Sequence, residues 1–483
     1  MSIAIPQLIS AIPEFVMSGM IFVILLADLF VSHRFRHLVF NLTQLTLVAC
    51  AVLTLIVFHH ETVITFNSSF IVDQIATILK LFIYGLTFLC LLYSQTLIAS
   101  KDEEQVGAHY ILILFSVLGM MVLISAYSFI TLFLGLELLS LPLYALIAMN
   151  KSSPYSAEAA LKYFVLGATA SALLLFGMSI IYGLTGQLTL GGIAQATTLL
   201  AFGQQSLLIL GLIFITGAVA FKLGAVPFHM WIPDVYEGTE LSVTLIIATG
   251  VKVAAFALLV RLLVEALPAA TLQWTHLCMA LAILSMSIGN IAAIIQTNIR
   301  RMLAYSSMAH MGYLLLGFVS GTEAGFGAAM FYMLVYAIMS LGAFAVLTLM
   351  SRAGAEVNTI HDLRGLNTRH PWLAFLMLII MFSMAGIPPS AGFFAKIAVL
   401  MSLVHVHLVW LAALALLFAV MGAYYYLRVV KTMYFDLPDN QTPIVIDGMS
   451  KQIAITVNGL FIVVLGVLPV GLFHLCELAF GVR

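Results

Sequence analysis

Glu137, Lys222, Lys252 and Lys396 each lie inside a long apolar stretch, in the contexts Gly135-Leu136-Glu137-Leu138-Leu139, Phe221-Lys222-Leu223, Gly250-Val251-Lys252-Val253-Ala254 and Phe394-Ala395-Lys396-Ile397. A charge at the centre of a bilayer costs at least about 2.5–3.5 kcal/mol, so each is a candidate functional group by default. Burial pulls a lysine's proton affinity down and a nearby carboxylate pushes it up, so moving an opposing charge by a few ångströms releases or captures a proton. That is proton-relay chemistry. Sodium would instead favour clustered carboxylates and carbonyl oxygens, and Glu137 is the one central acid. His310, central in another stretch, and His229, beside a proline-rich break, are candidate proton shuttles because imidazole titrates near neutral pH. The competing reading is static: an ion pair that locks helix packing, neutral lysines, and histidines that only bond a neighbour. Glu158 with Lys162 and Arg261 with Glu265, each four apart, read as ordinary helix pairs. Lys80 reads as a contact to a neighbour or a snorkelling lysine.

The elements that must position these groups are membrane spans. Of 483 residues, 63% are hydrophobic and 8% charged, and 19 Lys+Arg against 20 Asp+Glu leave a net charge of −1. That excludes a water-soluble fold, a basic nucleic-acid surface and an acidic disordered tail. Cys50, Cys90, Cys278 and Cys476 each stand alone in apolar sequence and form no CxxC pair, so they assemble neither an iron–sulfur cluster nor a zinc site. The longest polar stretch is about twenty residues, too short for a domain that holds a nucleotide or flavin. No Ser-His-Asp grouping, haem-ligand pair or dinucleotide glycine motif stands in a context that could work, so the chain itself is expected to hold no cofactor and no metal.

A membrane helix needs roughly 20 apolar residues, which predicts an all-α, polytopic membrane fold of about fourteen spans. They fall near 9–31, 38–58, 71–97, 109–124, 127–149, 157–183, 206–236, 240–266, 271–294, 298–319, 325–350, 371–402, 405–434 and 451–478. The first has Glu14 where a leader would be basic and lacks a small-residue cleavage site, so it reads as span one rather than a cleaved leader. Loops after odd-numbered spans carry Arg34, Arg36, Lys101, Lys151, Arg300, Arg301, Arg352, Arg364, Arg369 and Lys451, whereas loops after even-numbered spans carry none. Lys and Arg mark the cytoplasmic side, so both termini are expected outside.

Spans seven and twelve are interrupted, by Gly224-Ala225-Val226-Pro227-Phe228-His229-Met230-Trp231-Ile232-Pro233 and by Gly386-Ile387-Pro388-Pro389-Ser390-Ala391-Gly392. Proline deletes a backbone donor and clashes with the preceding turn, so each predicts a broken helix. A matched pair of broken spans points to internal repeats with polar sites at the breaks. The breaks lie five spans apart, and an odd-numbered unit inverts its second copy. The resulting organisation is an N-terminal three-helix segment (1–108), a first five-helix repeat (109–266), a second, inverted repeat (267–435) and a C-terminal helix (436–483). Two unrelated proline kinks are the alternative.

With these residues and breaks, the sequence resembles the antiporter-like membrane subunits of respiratory complex I and of multisubunit cation/proton antiporters, over nearly the whole chain. Three stretches carry the resemblance: Gly135-Leu136-Glu137 through Leu143-Tyr144, Phe221-Lys222 through Asp234-Val235-Tyr236, and Gln296-Thr297-Asn298-Ile299-Arg300-Arg301 through Ser306-Ser307. Within the family, Lys396 stands where the sister subunit M has a glutamate, and the long lateral helix of subunit L is not seen.

The resemblance implies that Glu137 pairs with Lys222, that Lys252 passes protons along the midplane and that Lys396 is the terminal relay toward the outside. It implies a proton-translocating, non-redox subunit of an NADH:quinone oxidoreductase in a bacterial inner membrane, with FMN, iron–sulfur clusters and quinone in partner subunits. The partners it implies are a neighbouring subunit M, the lateral helix of subunit L and small subunits J and K. A subunit of a sodium/proton antiporter is the competing function, and a scaffold whose charges only fix assembly is another. After Tyr236 the family has a Gly-Ala-Pro-x-Pro-type turn, whereas this chain has Gly238-Thr239-Glu240-Leu241-Ser242-Val243, which predicts a less rigid loop and an added acid near the site of proton uptake.

Overall fold

The structure, a computed structural model, describes all residues except 1–4, 31–36, 59–60, 101–102, 152, 352–355, 439–443, 445 and 483. Arg34, Arg36, Lys101 and Arg352, four of the residues that orient the spans, lie outside the described residues.

Helices run in chain order as Ile5–Ser10 (α1), Ile12–Phe30 (α2), His37–Val57 (α3), Gln74–Ala99 (α4), Glu103–Ile124 (α5), Phe129–Ala148 (α6) and Pro154–Thr185 (α7). Then follow Leu190–Thr198 (α8), Gln205–Leu223 (α9), Trp231–Gly238 (α10), Leu241–Ala248 (α11), Gly250–Leu259 (α12), Thr271–Ile295 (α13), Ile299–Val319 (α14) and Glu323–Met350 (α15). The last are Leu366–Arg369 (α16), Pro371–Ala385 (α17), Ala391–His405 (α18), Val409–Phe435 (α19), Met449–Val467 (α20) and Val470–Ala479 (α21). A short antiparallel hairpin, β1 (Val63–Thr65) and β2 (Phe70–Val72), pairs Val63 with Val72 and is the one sheet among the described residues.

Local chemistry fixes many of the helix ends. Ser128 caps α6 by accepting from the Thr131 amide, Ser153 caps α7 ahead of Pro154, and Asn298 accepts from the amides of both Arg300 and Arg301 at the start of α14. These side chains take up amides that no preceding turn can satisfy. His370 does the same for α17 through Nδ1, with Pro371 in the first turn, where its missing N–H costs nothing.

Thirteen helices among the described residues are long and apolar enough to cross a membrane. Four expected spans differ from their continuous form. Span seven is α9, an irregular stretch and then the short α10, and span twelve is α17 and α18, 15 residues each. At 1.5 Å per residue, 15 residues reach about 22 Å, short of a hydrocarbon core of about 30 Å. Span eight, read from sequence as uninterrupted, is broken at Thr249 (φ −121°, ψ −84°) and ends in a π-helical turn, Val260–Glu265. Nothing in its run of small and β-branched residues announces that break. The last span is split at Leu468-Pro469 into α20 and α21.

The chain packs as two compact units. One comprises Met1–Phe88, Ile98–Lys222 and Gly250–Trp274, and the other Leu89–Leu97, Leu223–Thr249 and Thr275–Arg483. In the first, α5 packs along α6, α2 along α3 and α5, and α12 against α5. Connections after even-numbered spans meet there: Phe70 bridges Ala126, and Ser128 bridges Thr189. In the second unit, α14, α15 and α18 form the centre, with α17, α20 and α21 against α15. Connections after odd-numbered spans meet in it. Arg301 pairs with Asp234 at 2.8 Å and Glu237 at 2.7 Å, Arg300 pairs with Glu356, and Asn298 bridges Thr359.

Candidate functional site

Glu137 lies mid-way along α6, partly buried, and its Oε1 accepts a hydrogen bond from Ser171 of α7. Lys222, 2% exposed in the last turn of α9, donates from Nζ to Ser140 Oγ at 2.7 Å. Ser140 in turn donates to the Leu136 carbonyl at 2.6 Å. Glu137 and Ser140 are three apart on α6 and so share a face. The resemblance implies that Glu137 pairs with Lys222; among the described residues no salt bridge joins them, and Ser140 stands beside the amine instead. The amine reaches the acid's side of α6 through a hydroxyl.

All three candidate lysines stand beside an interruption in a helix. Lys222 precedes the positive-φ Gly224 (φ 73°), Lys252 is in the first turn of α12 after Thr249, and Lys396 is in the second turn of α18 after the Gly386–Ser390 break. Broken backbone supplies carbonyls and amides that an intact helix would consume, which is why polar sites form there.

Lys396 shows this directly. Its Nζ donates to the carbonyls of Met384 at 3.0 Å and Ala385 at 2.8 Å, the last residues of α17, and lies 5.2 Å from the Tyr313 ring centroid. The negative end of a helix dipole and an aromatic face both favour a cation. Gly386 ends α17 in the left-handed region (φ 86°), and a Cβ there would come within 2.9 Å of Lys396 Cδ, so glycine is needed both for the turn and for the lysine's room. In the same break Gly392 donates its amide to Ser383 Oγ at 3.0 Å, and a Cβ would stand 1.9 Å from the Ser383 carbonyl oxygen.

Lys252 is fully buried, and every other residue of α12 is buried. Nine residues on, Arg261 is also fully buried and forks onto Asp73, with Nη1 to Oδ2 at 2.7 Å and Nη2 to Oδ1 at 2.9 Å. Arg261 additionally bonds Glu265, as its spacing predicts, and the Ile124 carbonyl at 3.1 Å.

His310, buried in α14, is held at both ring nitrogens: Nδ1 lies 2.7 Å from Tyr332 OH and Nε2 3.0 Å from Tyr426 OH. Tyr426 also bonds Ser306, Tyr336 donates to Ser307 at 2.7 Å, and Tyr425 donates to Asn290 at 3.0 Å. Between His310 and Lys396 is a cavity of about 10 Å³ lined by Asn290, Tyr313, Tyr425 and Tyr426, room for about one water. His229 is half-buried in the span-seven break, its Nδ1 without a hydrogen-bond partner among the described residues, and the break is tied down by the Val226 amide donating to Ser285 Oγ at 2.9 Å.

Sequence reasoning passed over Ser140, Ser171 and the tyrosines around His310. The signals were present in the Tyr424-Tyr425-Tyr426 run and in Tyr332 and Tyr336 at helical spacing, but a tyrosine stripe in an apolar helix reads as core. Lys80 makes the neighbour contact its position suggests, a 2.5 Å pair with Glu14, and Glu158 pairs with Lys162 at 2.6 Å on an open face. The Gly238–Val243 segment is not a slack loop: only Thr239 and Glu240 separate α10 from α11, and Arg300 donates to the Thr239 carbonyl at 2.9 Å. The four cysteines are buried and unbridged, and no group of three His, Cys, Asp or Glu side chains gathers as a metal site among the described residues.

Broken helices with buried lysines at the breaks define an antiporter-like membrane subunit, and the family described as NADH:quinone oxidoreductase/Mrp antiporter, TM matches residues 126–422. The chain is 50% identical over 482 residues to NADH-quinone oxidoreductase subunit N of Coxiella burnetii, covering 99% of both chains. It belongs to the NADH-quinone oxidoreductase subunit N family. A chain of respiratory complex I from Thermus thermophilus superposes with a TM-score of 0.81 at 31% identity, over 96% of this chain and 99% of that one. A chain of the Mrp complex from Dietzia sp. has a TM-score of 0.85 at 20% identity, covering 98% of this chain and 97% of that one, which shows a shared fold.

Proposed function

We propose that this chain is the proton-translocating subunit N of a bacterial inner-membrane NADH:quinone oxidoreductase, driven by quinone reduction elsewhere in the complex. The observation that carries the reading is the placement of Lys222, Lys252 and Lys396, each buried and each beside a break in its helix. Glu137, held by Ser171, modulates Lys222 across the α6 face that also carries Ser140, Lys252 passes the proton, and Lys396 receives it between the α17 carbonyls and the His310 cavity. His310 shuttles protons with its tyrosine partners, and His229 does so at the span-seven break. The residues of 109–266 and 267–435 act as two inverted repeats around these sites, with both termini periplasmic.

In this reading the subunit carries no redox centre. FMN, iron–sulfur clusters and quinone belong to partner subunits, and subunits M, L, J and K are the membrane neighbours. The test has two parts. The chain should co-migrate on a native gel with NADH dehydrogenase activity, which a stand-alone sodium/proton antiporter would not. Glu137→Ala, Lys222→Ala and Lys252→Ala should each assemble and pump fewer protons per complex. Normal pumping by assembled variants removes the relay assignment, and loss of assembly without loss of pumping per complex turns the charges into scaffold.

A further inference from the structure

The helix that carries Lys252 has an unusual packing problem. All ten residues of α12, Gly250 to Leu259, are buried, so the helix is apolar nearly all the way round. A helix with a single apolar stripe is oriented by the hydrophobic effect, but one that is apolar on every face gains almost the same burial at any rotation. Its flanks are irregular rather than continuous α-helix. The backbone leaves helical geometry at Thr249 on one side, and a π-helical turn, which already contains an extra residue, follows on the other. A slip of one residue turns each side chain about 100° round the axis.

Arg261 resolves the degeneracy. It is the first polar residue after Lys252 on this segment, and its planar guanidinium is gripped from three directions within the same compact unit. Asp73, just before α4, takes both Nη atoms at 2.7 and 2.9 Å, the Ile124 carbonyl at the end of α5 takes Nε at 3.1 Å, and Glu265 takes Nη1 from the next turn. A bidentate guanidinium–carboxylate pair fixes direction as well as distance, which a lysine's point charge does not. Fixing register is the best-attested use of a buried polar pair, whose net contribution to stability is small once desolvation is counted.

We propose that Arg261, clamped to Asp73, is a positioning residue for Lys252: it sets the rotation of α12 and so aims the buried amine. The inference rests on the relay role given to Lys252 above. Arg261 touches no proton on the path. It acts from nine residues further along, at the start of the π-helical turn that continues α12.

The test uses intact complexes in inverted membrane vesicles, with pumping rate normalised to the amount of assembled complex on a native gel. Arg261→Lys keeps the charge and removes the fork. Pumping per complex is expected to fall at least about threefold, with the pH profile of pumping displaced, because a re-aimed Lys252 meets different neighbours. Asp73→Asn, which leaves Arg261 its Glu265 and Ile124 partners, is expected to move the same two readouts in the same direction, and the double variant to be no worse than the worse single one. Unchanged pumping per complex with an unchanged pH profile overturns the proposal, whatever happens to abundance, as does failure of both variants to assemble. Lys252→Ala is run beside them. If it pumps normally the relay reading itself falls, whereas a dead Lys252→Ala with normal Arg261→Lys and Asp73→Asn removes only the clamp.

Discussion

Lys222 and Ser140 are joined by a 2.7 Å hydrogen bond between the end of α9 and the face of α6 that also carries Glu137. A hydroxyl in that position both accepts from the amine and donates onward, here to the Leu136 carbonyl. It can turn between the two without moving the backbone. Hydrogen bonds to charged groups contribute roughly 1.5–3 kcal/mol, so Ser140→Ala is expected to lower pumping about tenfold while the complex still assembles. Ser140→Thr, which restores the hydroxyl, should recover most of it. Vesicle acidification measured against complex abundance gives the comparison, and a fully active Ser140→Ala would show that the hydroxyl is not on the path.

The ring of His310 separates two tyrosines that bond it from one that does not. Tyr332 and Tyr426 each reach a ring nitrogen, whereas Tyr336, whose ring centroid is 5.2 Å from that of His310, gives its hydroxyl to Ser307. If the histidine shuttles protons, Tyr332→Phe and Tyr426→Phe should each slow pumping several-fold, and Tyr336→Phe, with the same loss of one oxygen from the same cluster, should slow it much less. Equal effects of all three would mean that the cluster matters for packing alone.

How far the sequence could be read follows from what each feature depends on. Spans, the proline-marked breaks at Pro227 and Pro388-Pro389 and the isolated charges are local properties, and residue order states them. The break at Thr249 depends on packing, since no residue in Leu245-Ile246-Ile247-Ala248-Thr249-Gly250 forbids a helix outright. The candidate lysines were legible because a buried charge is costly wherever its partners are. Their partners were not. Ser140 and Ser171 are common residues in membrane helices, and the two carbonyls that hold Lys396 are backbone groups with no sequence signature at all. Arg261 illustrates both halves: its pairing with Glu265 follows from spacing four, whereas Asp73 lies 188 residues away.

Asp73 gives the clamp a pH dependence. The residue lies just outside α4 and, although burial alone would raise its pKa, the Arg261 charge and hydrogen bonds hold its carboxyl below the ordinary value of 3.8. In the unfolded chain the carboxyl binds a proton at a higher pH than in the folded one, so stability from this site rises with pH through that interval. Its contribution is complete above about pH 4 and is lost as acidification passes below the lowered pKa. Asp73→Asn should therefore lower the Tm of the solubilised complex at neutral pH, and the gap from the unsubstituted protein should narrow below pH 4. A gap that stays constant down to pH 3 would assign the loss to packing instead of charge.

The Glu14–Lys80 pair links α2 to α4 at 2.5 Å, with side chains 9% and 5% exposed, and it plays no part in the proposed relay. Glu14 Oε2 has no hydrogen-bond partner among the described residues, and the Lys80 ammonium lies 5.1 Å from the Phe70 ring centroid. An ion pair so enclosed is expensive to break from one side, because the remaining charge stays buried: about 3–5 kcal/mol, against a net value near zero when both partners are replaced by apolar groups of similar volume. Glu14→Leu alone should then sharply reduce the amount of assembled complex, and Lys80→Met alone should do the same by stranding the carboxylate. The double variant Glu14→Leu/Lys80→Met should restore abundance to near the unsubstituted level, with pumping per complex unchanged throughout. Quantitative native gels decide it. If the double variant assembles no better than either single one, the two charges are needed as charges.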